Sequence, residues 1–155
     1  MSQLSVELID PRRSRELRRS VLRPETAPGD PLPGDDLADA VHIGVLVDRR
    51  LVSTCFVYPD TCPWLPEVEP AWHLRQMATW PDDRGHGYAG AVVDYAIEYV
   101  RTRNARLLWL HGRELAVPLY RRNGFVDEGE LFTDEEHAVP HLCMYQFLHL
   151  IPEPR

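Results

Sequence analysis

HLRQMATWPDDRGHGYAGAVVDYAIEYV, residues 73–100, decides the fold. It reads as a strand, a sharp turn and a helix. The strand spans His73 to Trp80, with Leu74, Met77 and Trp80 apolar. Pro81 ends it, because proline has no amide to give to a ladder. Asp82 and Asp83 open a turn. Gly85 and Gly87 follow, one residue apart, and let the backbone come close to a ligand with its amides unobstructed. Ala91, Val92, Tyr95, Ala96 and Tyr99 then recur at three- and four-residue spacing, the period of a helix with one buried face. A glycine loop feeding a helix N-terminus suits an anion, since free amides point outward and the helix dipole favours negative charge.

A Gly-x-Gly taken alone describes an ordinary tight turn equally well, so the rest of the chain must say which anion, if any, is held. A mononucleotide loop needs Gly-Lys-Ser/Thr, and the chain contains no lysine. Gly85-x-Gly87-x-x-Gly90 has the spacing of a dinucleotide fingerprint. That motif also needs an acidic ribose ligand about 20 residues on. The chain there reads Asn104-Ala105-Arg106-Leu107-Leu108-Trp109 and offers none.

Three motifs fit a different family. Arg84-x-x-Gly87-x-Ala89 resembles the R-x-x-G-x-G/A pattern of the GCN5-related N-acetyltransferases (GNAT). The preceding Leu74-Arg75-Gln76-Met77-Ala78-Thr79-Trp80-Pro81 looks like the LRQMAV-x-P strand of that superfamily. Ala116-x-x-Leu119-Tyr120-x-x-x-Gly124-Phe125 resembles its A-x-x-[LF]-Y-x-x-x-G-F signature. Leu108-Trp109-x-x-x-Arg113, Val139-Pro140-His141-x-x-Met144 and Leu17-Arg18-x-x-Val21-Leu22-Arg23-Pro24 are similar to a bacterial subgroup. The matched region runs over residues 71–145, about half the chain.

The resemblance implies an α/β fold with a central mixed, mostly antiparallel sheet flanked by helices. It implies acetyl transfer from acetyl-CoA, as co-substrate, to a primary amine of a small molecule or peptide. Residues are then assigned by position. Arg84, Gly85, His86, Gly87, Tyr88 and Ala89 would hold the cofactor phosphates, with Arg84 adding a permanent charge and bidentate donors. Main-chain groups of Met77, Ala78 and Thr79 would meet the thioester and the pantetheine arm. Arg113 stands where many relatives carry a pantetheine-contacting asparagine. Tyr120 would protonate the departing thiolate, which a phenol neutral at pH 7 can do; without the motif it reads as a packing tyrosine. His141 matches the subgroup's P-H-x-x-M and is the first choice for the base that neutralises the amine. His73, His42, a carboxylate such as Glu130 and a water relay remain open for that role. The same fold could also bind coenzyme A without catalysis, as a sensor or interaction module.

Composition bounds the rest. At 155 residues the chain is expected to form a single domain, residues 1–155, with a sizeable core. No apolar run is long enough to span a membrane, and the first residues, MSQLSVELIDPRR, lack a signal-peptide core. Cys55, Cys62 and Cys143 are an odd set without C-x-x-C spacing, which points to a reducing, cytoplasmic setting. A net charge of −7 argues against nucleic acid as a partner. All 17 basic residues are arginine, as in a GC-rich bacterial genome. His137 and His141 lie four apart behind Glu135 and Glu136, but Pro140 forbids the helix that such ligation needs, so no metal is expected. A homodimer is common in the superfamily, though no apolar stripe marks an interface.

Outward from the central stretch, Leu4 to Leu8 alternates as a strand, and Asp10-Pro11 starts a helix that stops before Pro24. Arg12, Arg13 and Arg15 read as a solvated face, while the resemblance implies that this helix borders the acceptor, so that Arg18 or Arg23 could meet an anionic substrate group. Residues 24–40 and 59–70 are proline-rich loops expected to border the acceptor. Val41–Val47 and Leu51–Tyr58 form a hairpin. Arg106–His111 is a strand, a helix follows from near Glu114 to Asn123-Gly124, and Leu131–Thr133 and Leu142–Leu148 are strand-like. The acidic Asp134-Glu135-Glu136 reads as a solvated turn.

Overall fold

The computed structural model describes residues 2–148. Its elements are β1 (Leu4–Ile9), α1 (Pro11–Leu22), β2 (Val41–Val47), β3 (Arg50–Pro59), β4 (Ala71–Thr79), α2 (Tyr88–Thr102), β5 (Leu107–Arg113), α3 (Val117–Arg122), β6 (Val126–Phe132) and β7 (His141–Phe147). Seven strands form one mixed sheet in the order β1-β2-β3-β4-β5-β7-β6, flanked by three helices. The β1-β2, β2-β3, β5-β7 and β6-β7 ladders are antiparallel, and β4 meets β5 in parallel. That parallel ladder pairs Ala71–His73 with Leu107–Trp109 and stops there.

The chain falls into two compact units, each described by itself. Of the described residues, the first holds 2–58 and 74–96, the second 59–73 and 97–148.

In the first unit, α1 begins as the sequence requires. The Asp10 carboxylate accepts the Arg12 amide at 2.8 Å and Pro11 takes the first helical turn, a cap worth about 1 kcal/mol. The buried face of α1 is Ser14, Leu17 and Arg18. Arg18 is therefore not a solvated side chain and does not reach outward to a substrate; it is 1% exposed. Its guanidinium donates to Ser14 Oγ (3.0 Å), Asp35 Oδ1 (3.1 Å), Gln76 Oε1 (3.0 Å) and the Pro11 carbonyl (3.0 Å). Burying a charge costs several kcal/mol unless its donors find partners, and this set supplies four of the five N–H donors of the guanidinium. The same set ties α1, the 24–40 loop and β4 together. Gln76 needs that support: it sits mid-strand at φ +52°, left-handed for a residue with a side chain. Its amide also donates to the Pro33 carbonyl. The kink interrupts the burial pattern of β4 just before Met77–Thr79.

In the second unit, the 59–70 loop packs inward through Cys62 against Ala71, Leu107 and Trp109, with Trp64, Leu65 and Val68 alongside. α3 is shorter than the motif reading suggests. Glu114–Ala116 forms a 3-10 turn and the α-helix itself holds only six residues, because Pro118 can be accommodated only in a first turn. β6 starts at Val126, five residues before the expected Leu131. Its residues are mostly exposed and its register shifts between Glu128 and Phe132, so no clean alternation announced it.

Candidate active site

The glycine loop lies in the first unit. A 3-10 turn, Pro81–Asp83, leads out of β4, and Arg50 clamps it with two bonds to Asp83, at 2.6 and 2.9 Å. That guanidinium holds the Asp83 carboxyl below the usual carboxylate range. Gly85 and Gly87 have φ of +84° and +81°, and a Cβ at either would meet nothing within 4 Å. The glycines therefore answer a backbone demand and face open space. Positive φ values at alternate residues turn successive amides toward one side, as in an anion nest. The first helical bond of α2 runs from Ala91 to the Gly87 carbonyl at 3.1 Å, which leaves the preceding amides as the helix N-terminus. Arg84, Gly85, His86 and Gly87 are exposed, and Tyr88 and Ala89 half-buried. The His86 and Tyr88 rings stack 5.5 Å apart. In the strand before the loop, Met77 is half-buried while Ala78 and Thr79 are buried. Thr79 exchanges a 2.8 Å hydroxyl bond with Ser53, which fixes the strand end.

The other expected residues lie in the second unit, around the end of β5. Tyr120 is 4% exposed, and its ring presses on Gly112, where an added Cβ would stand 3.0 Å from Cδ2. On the opposite face, Trp109, His111 and Arg113 pair in register with Tyr145, Cys143 and His141 of β7. His141 is buried, and its Nδ1 lies 2.7 Å from the Val139 carbonyl. That bond puts the proton on Nδ1 and leaves Nε2 with its lone pair. Burial, followed by the charges of His137 and Arg113, pushes its pKa down, so the neutral base is favoured. Arg113 is exposed at the strand end.

The remaining base candidates are placed elsewhere. His73 stacks on Trp109 with centroids 3.6 Å apart and meets Asp60 at 3.2 Å. His42, in the first unit, is 3% exposed beside Phe56, and its pKa is pushed down to about 4 by burial and then by Arg18. Its Nδ1 finds no partner among the described residues. Glu130 is exposed on β6. Sequence reasoning missed two features of the second unit: the part played by His111, and Asp134, whose carboxylate is not merely a solvated turn. It accepts the His137 amide at 2.6 Å and sits 2.9 Å from His137 Nδ1. The signal was the alternation Trp109-x-His111-x-Arg113 on β5, readable only once its facing strand is known. Among the described residues no group of three or more His, Cys, Asp or Glu is arranged to hold a metal, and no helix is long and apolar enough to cross a membrane.

The fold is that of an acetyltransferase. The sequence model of the acetyltransferase (GNAT) domain matches residues 35–126, and the chain belongs to that family. No curated protein matches in sequence. Solved structures are similar in fold. FeeM, an N-acyl amino acid synthase from uncultured soil microbes, has a TM-score of 0.75 at 13% identity, with 95% of this chain and 91% of that chain covered. An aminoglycoside 6'-N-acetyltransferase complexed with coenzyme A has a TM-score of 0.71 at 13% identity, covering 97% and 99%. The ribosomal-protein-S18-alanine N-acetyltransferase of Escherichia coli has a TM-score of 0.70 at 13% identity, covering 97% of each.

Proposed function

We propose that this protein transfers the acetyl group of acetyl-CoA to a primary amine of a small molecule or peptide, by direct attack of the amine on the thioester. The observation that carries the reading is the loop of Arg84–Ala89, whose two left-handed glycines open the N-terminus of α2 onto free space. An anion as large as a pyrophosphate needs amides, a helix dipole and a cation together, and Arg84 supplies the cation. Met77, Ala78 and Thr79 offer main-chain groups to the thioester and pantetheine. Ladder pairing of β4 with β5 ends at His73, before these residues. Donors aimed at the developing oxyanion would lower the barrier.

In the second unit, Tyr120 serves as the general acid for the thiolate, His141 as the base for the amine, and Arg113 as a contact to the cofactor arm. Support comes from the placement of Tyr120 and His141 at one strand end on opposite faces, with His141 held neutral. The acid must reach the thioester sulfur and the base the attacking nitrogen, two different atoms bonded to one tetrahedral carbon. Two of the similar structures are named for their acceptors, an aminoglycoside and a ribosomal-protein alanine, and both are amines.

Titration calorimetry with acetyl-CoA tests the cofactor assignment. Wild type is expected to bind in the micromolar range, and Gly87→Trp and Arg84→Ala to lose most of that binding while keeping a cooperative thermal transition. An amine screen then compares wild type with Tyr120→Phe, for which kcat is expected to fall about 100-fold. Failure of folded wild type to bind acetyl-CoA would overturn the reading.

A further inference from the structure

Beside His141 the second unit carries two further imidazoles, His111 and His137, that the reaction as described above does not use. His111 of β5 lies 5.0 Å from His137 between ring centroids, and His137 lies 4.5 Å from His141. Phe132 of β6 closes the group, 5.3 Å from His137 and 6.3 Å from His141. Two of these rings are held by Nδ1 acceptors of unequal character. His141 has a neutral carbonyl, that of Val139, while His137 has the Asp134 carboxylate.

Taking the acetyltransferase reading as its base, we propose that Asp134 and His137 form a dyad that receives, by way of His141, the proton an acceptor ammonium must lose before it can attack. The proton balance requires such a store. An ammonium R–NH3+ that ends as R–NH–CO–CH3 gives up two protons. One leaves on the thiol with the broken C–S bond, through Tyr120. The other leaves before the C–N bond forms, and a buried neutral imidazole accepts it at Nε2.

His141 alone is a poor resting place for that proton. Burial disfavours its charged form, and Arg113 and His137 add to the penalty. Two imidazoles this close cannot readily both be charged, so they titrate as a pair. Asp134 biases the pair toward His137, whose imidazolium its carboxylate stabilises; the same bond holds the Asp134 carboxyl below the usual range. The charged and titratable groups around the pair are Asp134 on the loop, His111 and Arg113 on β5, and each imidazole for the other. The bonds that order the dyad also fix both Nδ1 protons, so both Nε2 atoms point away from their anchors. Asp134 is a positioning residue here. It acts only through His137.

The test uses the 155-residue chain with saturating acetyl-CoA, following His137 and His141 by nitrogen NMR through a pH titration, in wild type, Asp134→Asn and Asp134→Glu. In wild type both rings are expected as the Nδ1–H tautomer when neutral, with coupled titration curves. Asp134→Asn should lower the His137 midpoint and raise that of His141, and Asp134→Glu should restore the wild-type midpoints. A purely structural aspartate would move neither midpoint in this reciprocal way. Turnover of an aminoglycoside or an alanine-starting peptide, whichever is accepted, should fall about 100-fold in kcat for His137→Gln with KM little changed. Independent titrations, unmoved by Asp134→Asn in protein that binds acetyl-CoA, would overturn the dyad alone. Coupled titrations in protein that binds no acetyl-CoA would overturn the acetyltransferase reading and the catalytic role with it.

Discussion

His42 shows how a single side chain can set a pH limit. In the folded chain it is buried beside Phe56 and stays neutral down to about pH 4, against an ordinary value of 6.5. Its charged form is disfavoured by burial and by the Arg18 guanidinium. Between those two values the unfolded chain binds a proton that the folded chain refuses, so stability falls as pH falls through this window. The loss attributable to His42 between pH 7 and pH 5 is about 2 kcal/mol. Urea denaturation at the two pH values, compared between wild type and His42→Phe, should show a smaller drop for the variant by that amount. An equal drop in both would mean that the carboxylates alone set the acid limit. Arg18 is the complementary case. Sequence reasoning offered it to an anionic substrate group, yet four neighbours, drawn from three stretches of chain, take four of its five N–H donors. No local pattern announces an arginine whose partners lie up to 58 residues away.

At the scale of elements, β5 carries the sharpest constraint. Its Gly112 is not needed for backbone freedom; it is needed because the Tyr120 ring occupies the space a Cβ would take, with Cδ2 at 3.0 Å and Cε2 at 3.1 Å. Gly112→Ala should push that ring toward Phe125, its edge-on neighbour at 5.7 Å. We expect a stability loss of about 1–3 kcal/mol, read as a drop in Tm, and a fall in kcat larger than any change in acetyl-CoA affinity. The glycines of the loop before α2 differ in kind: their φ values demand glycine and their surroundings are empty. The two sorts of glycine look alike in sequence. The strand-turn-helix order of residues 73–100 was legible because Pro81, the aspartates and the helical period all act locally. β6 was legible only at its end. Exposed on both faces and broken by a shifted register, it has no buried stripe to betray it.

At the scale of the molecule, neither unit is a continuous stretch of chain. The boundaries at 58/59, 73/74 and 96/97 all fall inside regular elements, in β3, β4 and α2. A unit assembled from interleaved segments cannot be completed before the chain of the other has been laid down. We therefore expect residues 1–155 to unfold as one domain. Trp64, Trp72 and Trp109 lie in the second unit and Trp80 in the first. Fluorescence of Trp80, isolated by replacing the other three with phenylalanine, should give the same urea midpoint as far-UV circular dichroism. Midpoints that separate would mean that the units unfold independently.

The sequence by itself determined the family, the order of most elements, the glycine turn that leads into α2 and the place of Tyr120 on α3. All of these rest on residues close together in the chain, where proline, glycine, capping and periodicity act over a few bonds. Tertiary structure alone decided which polar side chains are consumed in holding the fold and which are left to do chemistry. It turned Arg18 inward, took His73 into a stack on Trp109, and set Asp134 against His137 beside His141. Burial and partner distance fix the charge state of such groups, and both depend on strands that meet only when the sheet is assembled.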